Sequence, residues 1–388
     1  MFHYRNNKRI CLLIINCLKN MSKPKRQHFI PRSYLNKFGN KFRDKYFIYG
    51  KKRDSEVITP KSTKDICVNK NLYTIPTEKD GKKYDIENFY ADKIDSVFPE
   101  IYSVIKDESI IHLDFKTRLK IINSALSLYF RTPKYLNIQN KFFEEVIEKA
   151  FKKTRKDNIT VLFMGEELNI ERSEAQQIIK EKKENNRIKF LFQHLESYQK
   201  FVECKLLDNM AVYHINDDSE FITSDNPVII RPFPAFYDKK LSYENYHNEP
   251  INPFRQSNMI HLPMDSKTIL TLIPTKKTSN LFQRLYIGNF DVLQYNLDIE
   301  ENSEMWILGS ENGISKHLKE KNKLNSKEYK KQAEEYTEKV DELKNLTNLM
   351  EKYGYKHELV KDKVIELEKK PFIFSDINFQ KICRKVKN

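Results

Sequence analysis

Short apolar runs separated by polar turns open the chain, and this pattern favours β-strands over helices. Residues 44–50 and 56–59 carry β-favouring side chains on either side of a charged turn, which predicts a hairpin. Before the hairpin, Pro31 is placed to begin a single turn of helix. Residues 66–68 and 72–75 are two further short strand candidates. The opening of the chain is therefore expected to be rich in β-structure.

From about Ile86 the apolar positions recur every three or four residues, which is the period of a helix. This period predicts helices over residues 87–105, 114–131, 137–156 and 173–207. In the last of these, Ser173 and Gln176 have the spacing of a capping box, and Asn185-Asn186 is a candidate break. A central helical segment is therefore expected.

Alternation of apolar and polar residues then returns. It predicts strands at residues 211–215, 221–223, 228–230, 259–264, 268–273 and 306–309, and a helix at 290–302. Together these parts predict an α+β fold in which the central helical segment lies between two β-rich parts.

The end of the chain has a different pattern. A helix from Asn325 is expected to end at Gly354, and its apolar residues follow one another at spacings of four and three, as in a coiled coil. A second helix over 357–369 would fold back on it, and 372–374 is a candidate strand. We predict a C-terminal helical hairpin that packs within the chain or joins two copies as a homo-oligomer.

Three regions follow from these changes of pattern: an N-terminal extension at 1–20, an α+β core domain at 21–315, and a C-terminal helical appendage at 316–388. The extension has an apolar run after Lys8-Arg9, but no small-residue cleavage site follows and the run is too short to cross a bilayer. We predict no membrane association, and we expect a chain that begins at Met21 to fold and stay soluble.

Composition narrows the functional classes. The net charge of +15 suits a phosphate-rich partner such as nucleic acid, although lysine is spread along the whole chain rather than concentrated in one block. The 5 cysteines are widely spaced and contain no Cys-x-x-Cys, which argues against a disulfide framework and favours the cytoplasm. The 8 glycines form no dinucleotide-binding, P-loop or hydrolase-elbow motif.

A compact polar segment, Thr223-Ser224-Asp225-Asn226-Pro227, interrupts two apolar runs. Asp225 and Asn226 can bond neighbouring backbone groups, so the segment has the chemistry of an Asx turn. It also displays a carboxylate, an amide and hydroxyls at a strand edge, which is the chemistry of a binding site. Both interpretations remain open at this point.

This segment belongs to a wider resemblance. The chain resembles a bacterial family catalogued as domain of unknown function 4238, through Gln27-His28-x-x-Pro31, Arg131-Thr132-Pro133 and Thr223 to Pro227. Leu262-Pro263-Met264 and Asn296 match later family positions, and an acidic position is filled by Asp92 or Asp95. Some members of the family are linked to defence against phage, so the resemblance implies a defence role without naming a reaction.

Three residues are candidates for catalysis. His28 titrates near neutral pH and can act as a general acid or base, or it can be a structural histidine bonded to a carbonyl. Arg131 can clamp a phosphate or carboxylate, or it can bind the last carbonyls of its own helix. Asp225 can orient His28, pair with Arg131 or hold a cation, or it can serve the turn. Only the resemblance suggests that the three converge; the expected substrate-binding neighbours are Gln27, Thr132, Ser224 and Asn226.

Asp225 together with Asp265-Ser266-Lys267 also loosely matches a metal-dependent nuclease motif, in which carboxylates hold Mg²⁺ and lysine positions water. The sequence names no cofactor otherwise. Our first hypothesis is a cytoplasmic effector of anti-phage defence that acts on nucleic acid, as a nuclease using His28, Arg131 and Asp225. The alternative is a non-enzymatic sensor for a nucleotide or a phage component, and a third hypothesis is an enzyme acting on a small phosphorylated metabolite.

Overall fold

A computed structural model describes residues 26–76, 82–163, 166–232, 256–275 and 278–387. The predicted N-terminal extension at 1–20 lies outside these residues. Within them the protein has the expected α+β fold, with several sheets, a central run of helices and further helices at the C-terminal end. No helix in this described part is both long and apolar enough to cross a membrane.

The opening part contains the predicted hairpin. Its elements are β1 (Arg26–His28), α1 (Arg32–Leu35), β2 (Asn40–Phe42), β3 (Lys45–Lys52), β4 (Ile58–Ser62), β5 (Val68–Lys70), β6 (Ile75–Pro76) and β7 (Lys82–Lys83). β3 pairs antiparallel with both β2 and β4, which confirms the hairpin. β1 pairs with β5, so that His28 lies opposite Val68.

The first predicted helix, over residues 87–105, is divided. The elements here are α2 (Asp85–Tyr90), a π-helical segment (Ala91–Asp95) and α3 (Phe98–Lys106). Pro99 explains the second break, because proline lacks an N–H and is best placed in the first turn of a new helix. The continuous helix expected from the apolar period is therefore wrong.

The remaining central helices are longer. They are α4 (Phe115–Phe130), α5 (Pro133–Lys153) and α6 (Ala175–Lys205), with a hairpin of β8 (Asn158–Phe163) and β9 (Glu166–Glu171) between the last two. α5 begins at Pro133 because the Thr132 hydroxyl accepts the Tyr135 N–H at 3.3 Å. α6 runs without the predicted break at 185–186, and Ser173 does not cap it. The β8–β9 hairpin was missed because its strands are short and lie between two helical periods.

The later part forms two sheets. Its elements are β10 (Asn209–Ile215), β11 (Thr223–Ser224), β12 (Ile229–Pro232), β13 (Asn258–Asp265), β14 (Thr268–Ile273), β15 (Phe282–Ile287), α7 (Asn289–Asn302), β16 (Trp306–Gly309) and α8 (Glu311–Lys321). One sheet has the order β12-β13-β14-β10-β15, in which only β10 and β15 are parallel. The other joins β11 and β16 to β3 and β2 of the opening part.

Long-range pairing therefore makes one sheet from the two ends of the family-like region. Trp306 in β16 lies opposite Lys52 in β3, while Thr223 in β11 lies opposite Leu308. One large apolar cluster contains residues from Phe29 to Leu308, so it spans the opening strands, the central helices and the later sheet. β15 and α8 had no counterpart in the sequence prediction.

The tail consists of α9 (Lys327–Tyr353), α10 (Glu358–Glu368), α11 (Pro371–Phe374) and α12 (Ile377–Lys387). α9 is capped by the Ser326 hydroxyl rather than by Asn325, and it ends at Gly354, whose φ of 82° suits glycine. The predicted strand at 372–374 is wrong, because Pro371 begins a helical turn there. The tail has an apolar cluster of its own, which includes Leu346, Val364 and Phe379.

Candidate functional site

Arg131 lies at the centre of a buried polar cluster, immediately after the end of α4. Its side chain is 1% exposed, and Nη1 donates to Asp95 Oδ1 at 2.6 Å while Nη2 donates to Oδ2 at 3.2 Å. Nη2 also donates to the His28 carbonyl at 2.9 Å, and the guanidinium lies 4.5 Å from the centre of the Tyr90 ring. Burial lowers the pKa of Arg131, but Asp95 and nearby tyrosines raise it more, so the guanidinium stays charged.

The acidic partner of Arg131 comes from the π-helical segment. Asp95 is its last residue, and the carboxylate is 28% exposed, so the ion pair opens towards solvent on the Asp95 side. The widened turn of a π-helix shifts the direction of the following side chains, and such turns are frequent at functional sites. The structure thus decides between the two acidic candidates of this helix in favour of Asp95.

Glu87, on α2, was not among the residues predicted from the sequence. Its Oε2 is buried and has no hydrogen-bond partner among the described residues. Burial raises the pKa of Glu87 to about 7; the Arg131 charge opposes this shift and the Asp95 charge adds to it. At neutral pH this carboxyl can therefore both donate and accept a proton. The available sequence signal was an acidic residue on a face with Ile86 and Tyr90, which are both buried.

His28 meets the cluster from β1. Its ring Nε2 is buried and has no hydrogen-bond partner among the described residues. Burial lowers the pKa of His28, and the charges of Arg32, Arg131 and Arg26 lower it further, against a smaller opposing effect of the Thr63 backbone. The ring is therefore neutral at pH 7 and surrounded by guanidinium groups.

The arginines around His28 differ in their engagement. Arg26 is paired with Asp65 at 2.9 Å, and Arg131 with Asp95. Arg32 is exposed, and its guanidinium has no hydrogen bond or ion pair within the described part of the chain. Arg32 is thus the arginine beside His28 that has its donors free for an anion.

Asp225 is engaged elsewhere. Its Oδ1 accepts the Glu304 N–H at 2.9 Å, and Oδ2 accepts the N–H groups of Met305 at 2.8 Å and Trp306 at 3.1 Å. Burial raises the pKa of Asp225, and these backbone donors offset part of that shift. The carboxylate therefore fixes the entry of the chain into β16, which agrees with a structural turn.

The predicted triad is brought together only in part. Among the described residues, no hydrogen bond or ion pair joins Asp225 to His28 or Arg131. Asp225 is nevertheless close to the neighbourhood of His28, because burial and then the Asp225 charge raise the pKa of Cys67, which precedes the pairing partner of His28. The catalytic role of Asp225 stays a prediction.

Hydrogen bonds connect the three family-like segments through other residues. Lys134, which follows the Arg131-Thr132-Pro133 segment, donates from Nζ to the carbonyl of Asn302 at 2.8 Å and to its Oδ1 at 2.9 Å. Asn302 in turn exchanges side-chain bonds with Asn226, at 2.9 and 3.1 Å. Neither Lys134 nor Asn302 was singled out in the sequence.

A second connection runs from α1. The Tyr34 hydroxyl lies 2.8 Å from the Thr223 Oγ1 and also donates to the Pro263 carbonyl at 2.8 Å. Tyr34 is fully buried, so these bonds are shielded from water. The late asparagine, Asn296, accepts the Ile222 N–H at 3.0 Å and so fixes the strand that leads into the same segment.

The predicted substrate-binding neighbours have internal partners. Gln27 is fully buried, and its Oε1 accepts the Tyr73 N–H at 2.8 Å. Thr132 caps α5, and the Ser224 hydroxyl accepts the Asn226 N–H at 3.1 Å. Asn226 Oδ1 is the exception, because it is buried without a partner among the described residues. These side chains hold the backbone around the cluster.

The metal-nuclease alternative has little geometric support. Asp265 accepts from the Tyr102 hydroxyl at 2.6 Å and pairs with Lys106 at 3.0 Å, while Lys267 donates to the carbonyls of Asp217 and Ser219. No bond in the described part connects either residue to Asp225. There, no group of three or more histidine, cysteine, aspartate or glutamate residues is placed to hold a metal ion.

Comparison with known proteins agrees with the segments that meet here. The model of one family, described as protein of unknown function (DUF4238), matches residues 26–313. The chain belongs to the DUF4238 family. The matched region of DUF4238 includes His28, Glu87, Asp95, Arg131 and Asp225, and it ends before α9 of the tail. No curated protein and no solved structure matches the chain.

Taken together, the cluster of His28, Glu87, Asp95 and Arg131, with Arg32 at its edge, is the candidate site of this DUF4238 member. It contains a neutral imidazole, a carboxyl with a pKa of about 7, a permanent cation and an exposed guanidinium. Groups of this kind can transfer protons near neutral pH and hold an anionic substrate.

Proposed function

We propose that this protein acts on nucleic acid as a phosphodiester-cleaving effector, in the cytoplasm and in defence against phage. The observation that carries the proposal is the position of His28: a neutral ring among three arginines, whose own carbonyl is bound by the Arg131 that Asp95 holds. The net charge of +15 adds support, because a basic protein attracts polyanions.

The residues have distinct roles in this proposal. His28 takes the proton from the attacking hydroxyl through Nε2, and Arg32 binds the phosphate whose bond is broken. Glu87, in its protonated form, returns a proton to the leaving oxygen. Arg131 and Asp95 fix the backbone of β1 and the π-helical segment, so they position His28 and Glu87 without themselves reacting.

Incubation of the purified protein with single- and double-stranded RNA and DNA tests this function. We expect cleavage that is lost in His28→Ala and much reduced in Arg32→Ala. The matched controls are His112→Ala and Arg155→Ala, because both side chains are exposed and have no partner in the described part. Cleavage that is equally retained in His28→Ala would contradict the assignment.

The pH profile of cleavage is a second test. His28 must be neutral, which requires a pH above its lowered pKa, and Glu87 must be protonated, which requires a pH below about 7. Cleavage should therefore be greatest on the slightly acidic side of neutrality and should decline as the pH rises above 7. A rate that keeps rising through pH 8 would contradict the role of Glu87.

A second candidate, a non-enzymatic sensor, is favoured by one specific observation. The charges of Arg131 and Asp225 are satisfied by groups of the protein itself, as in a structural framework. A sensor would bind a nucleotide or phage component at the face of Arg32 and His28 without changing it. Binding without any product, weakened in Arg32→Ala, would favour this function over cleavage.

A further inference from the structure

The chain has 1 tryptophan, and the structure places it at the start of β16, where the sheet leaves the core. Trp306 is partly exposed, although it contacts the main apolar cluster on one side. Its N–H group donates to Asp225, so the backbone below the indole is held by the polar segment described above. The indole is therefore fixed at the surface.

The neighbouring strand makes room for this ring. A Cβ atom at Gly50 would lie 3.3 Å from Cε3 of Trp306 and 3.1 Å from Cδ2 of Leu308. Such distances are tighter than side chains usually adopt, so the absence of a side chain at Gly50 lets the indole pack closely against β3. This packing orients a large aromatic surface at the edge of the protein.

Two lysines flank the ring. Lys61 Nζ lies 5.3 Å and Lys52 Nζ 5.7 Å from the centre of the Trp306 ring, within the range of a cation–π contact. Neither lysine has a carboxylate partner within the described residues, whereas the adjacent Lys51 approaches Glu56 at 3.7 Å. The patch of Lys52, Lys61 and Trp306 thus combines uncompensated positive charge with an aromatic surface.

We propose that this patch, which we call the Trp306 platform, binds single-stranded nucleic acid. A base stacks on the indole, and the phosphates on either side of that base bind Lys52 and Lys61. Stacking suits any base, and positive charge suits every phosphate, so recognition is independent of sequence. Duplexes are disfavoured because their bases are already stacked and paired. The proposal rests on the proposed function for the identity of the partner, but it uses different residues.

Because Trp306 is the sole tryptophan, its fluorescence reports directly on the platform. The experiment titrates the full-length protein with a short oligothymidylate joined by phosphorothioate linkages, which resist cleavage. We expect quenching by the single strand, weaker quenching by the matching duplex, and none by polyglutamate, which has the charge without bases. Equal quenching by polyglutamate, or none by the single strand, would overturn the proposal.

Variants separate stacking from charge. Lys52→Gln with Lys61→Gln should weaken binding and lower the slope of log affinity against log salt by roughly 0.7 per lysine, while Trp306→Ala should weaken binding about tenfold or more. The control is Lys319→Gln with Lys327→Gln, which removes two exposed lysines outside the platform. Equal affinity of the platform variants and the control, with melting temperatures near that of the wild type, would overturn the proposal.

The outcomes also distinguish this inference from the cleavage function. Quenching without any cleavage by the native protein would support the Trp306 platform and contradict the phosphodiesterase. Cleavage that depends on His28 but is accompanied by no quenching would support the phosphodiesterase and contradict the platform.

Discussion

At the residue scale, the balance of charge in the buried cluster decides the behaviour of Glu87. Arg131 supplies one positive charge and gives its shortest bond to Asp95, so Glu87 remains without a partner of its own. A second buried carboxylate beside the first is costly, and the proton is therefore held more tightly in the folded protein.

The resulting pH dependence is testable with Glu87→Gln. The folded-state pKa of Glu87 is raised from 4.5 to about 7, so the folded protein binds this proton more tightly than the unfolded chain. Its free energy of unfolding therefore falls as the pH rises from about 4.5 to 7, by up to roughly 3 kcal/mol. Urea unfolding at pH 5 and pH 8 should show a smaller decrease for Glu87→Gln than for the wild type. The exposed control Glu351→Gln should keep the wild-type decrease, and an unchanged slope in Glu87→Gln would contradict the burial of this charge.

Asp225 makes a contrasting prediction, because its carboxylate accepts from three consecutive N–H groups. Asp225→Asn replaces one accepting oxygen by a donor, which leaves buried N–H groups unsatisfied. We expect a loss of about 1–3 kcal/mol in the free energy of unfolding, measured by urea titration. Asp54→Asn, at an exposed position without partners, should be neutral. A stable Asp225→Asn protein that has lost its activity would instead favour a catalytic role.

At the scale of elements, the tail shows how an apolar stripe is used. Leu343, Leu346 and Met350 of α9 pack against α10 to α12, while Tyr329 and Tyr336 stack on Phe290 of α7 at 5.4 and 4.6 Å. Much of the predicted seam is thus covered within one chain. Self-association of the tail stays a prediction.

The two interpretations of the stripe differ at neighbouring turns of α9. Leu346 is fully buried, so Leu346→Ala should cost the tail about 2–5 kcal/mol. Val340 is 43% exposed, so Val340→Ala should change stability by less than about 0.5 kcal/mol if the chain is monomeric. Hydrogen exchange of the tail amides measures both variants. A large loss of protection in Val340→Ala that depends on protein concentration would indicate a seam between two copies.

At the scale of the whole molecule, distant segments are held together by few polar bonds. Tyr34, near the beginning of the family region, binds Thr223, which is 189 positions further along the chain. The bond is buried, and it joins α1 to the sheet formed by β11 and β16. It links the opening strands to the polar segment that carries Asp225.

A double-mutant cycle measures this link. Tyr34→Phe and Thr223→Val should each destabilise the protein, and the double variant should be less destabilised than the sum, by about 0.5–1.5 kcal/mol. The control cycle pairs Tyr34→Phe with Thr160→Val in the distant β8–β9 hairpin, where additivity is expected. Additive effects in both cycles, measured by urea unfolding, would contradict a direct bond between Tyr34 and Thr223.

Local patterns were sufficient for the elements whose signal is local. The hairpin of β3 and β4, the strands β13 and β14, helix α7 and the end of α9 at Gly354 were all predicted, because period, turn chemistry and caps lie within a few residues. The elements that were missed or divided depend on context: β15 is a strand because it pairs with the edge of β10, and the π-helical segment exists where Asp95 meets Arg131.

The sequence by itself determined the fold class, the family and the candidates His28 and Arg131, because the residue types and spacings of those segments are distinctive. Only the tertiary structure decided what these residues face. It gave Arg131 to Asp95 and to the carbonyl of His28, gave Asp225 to the amides before β16, and buried Glu87 without a partner. The physical reason is that burial and long-range pairing set the hydrogen-bond partners and the pKa of a charged group, and neither is a property of the residues beside it in the chain.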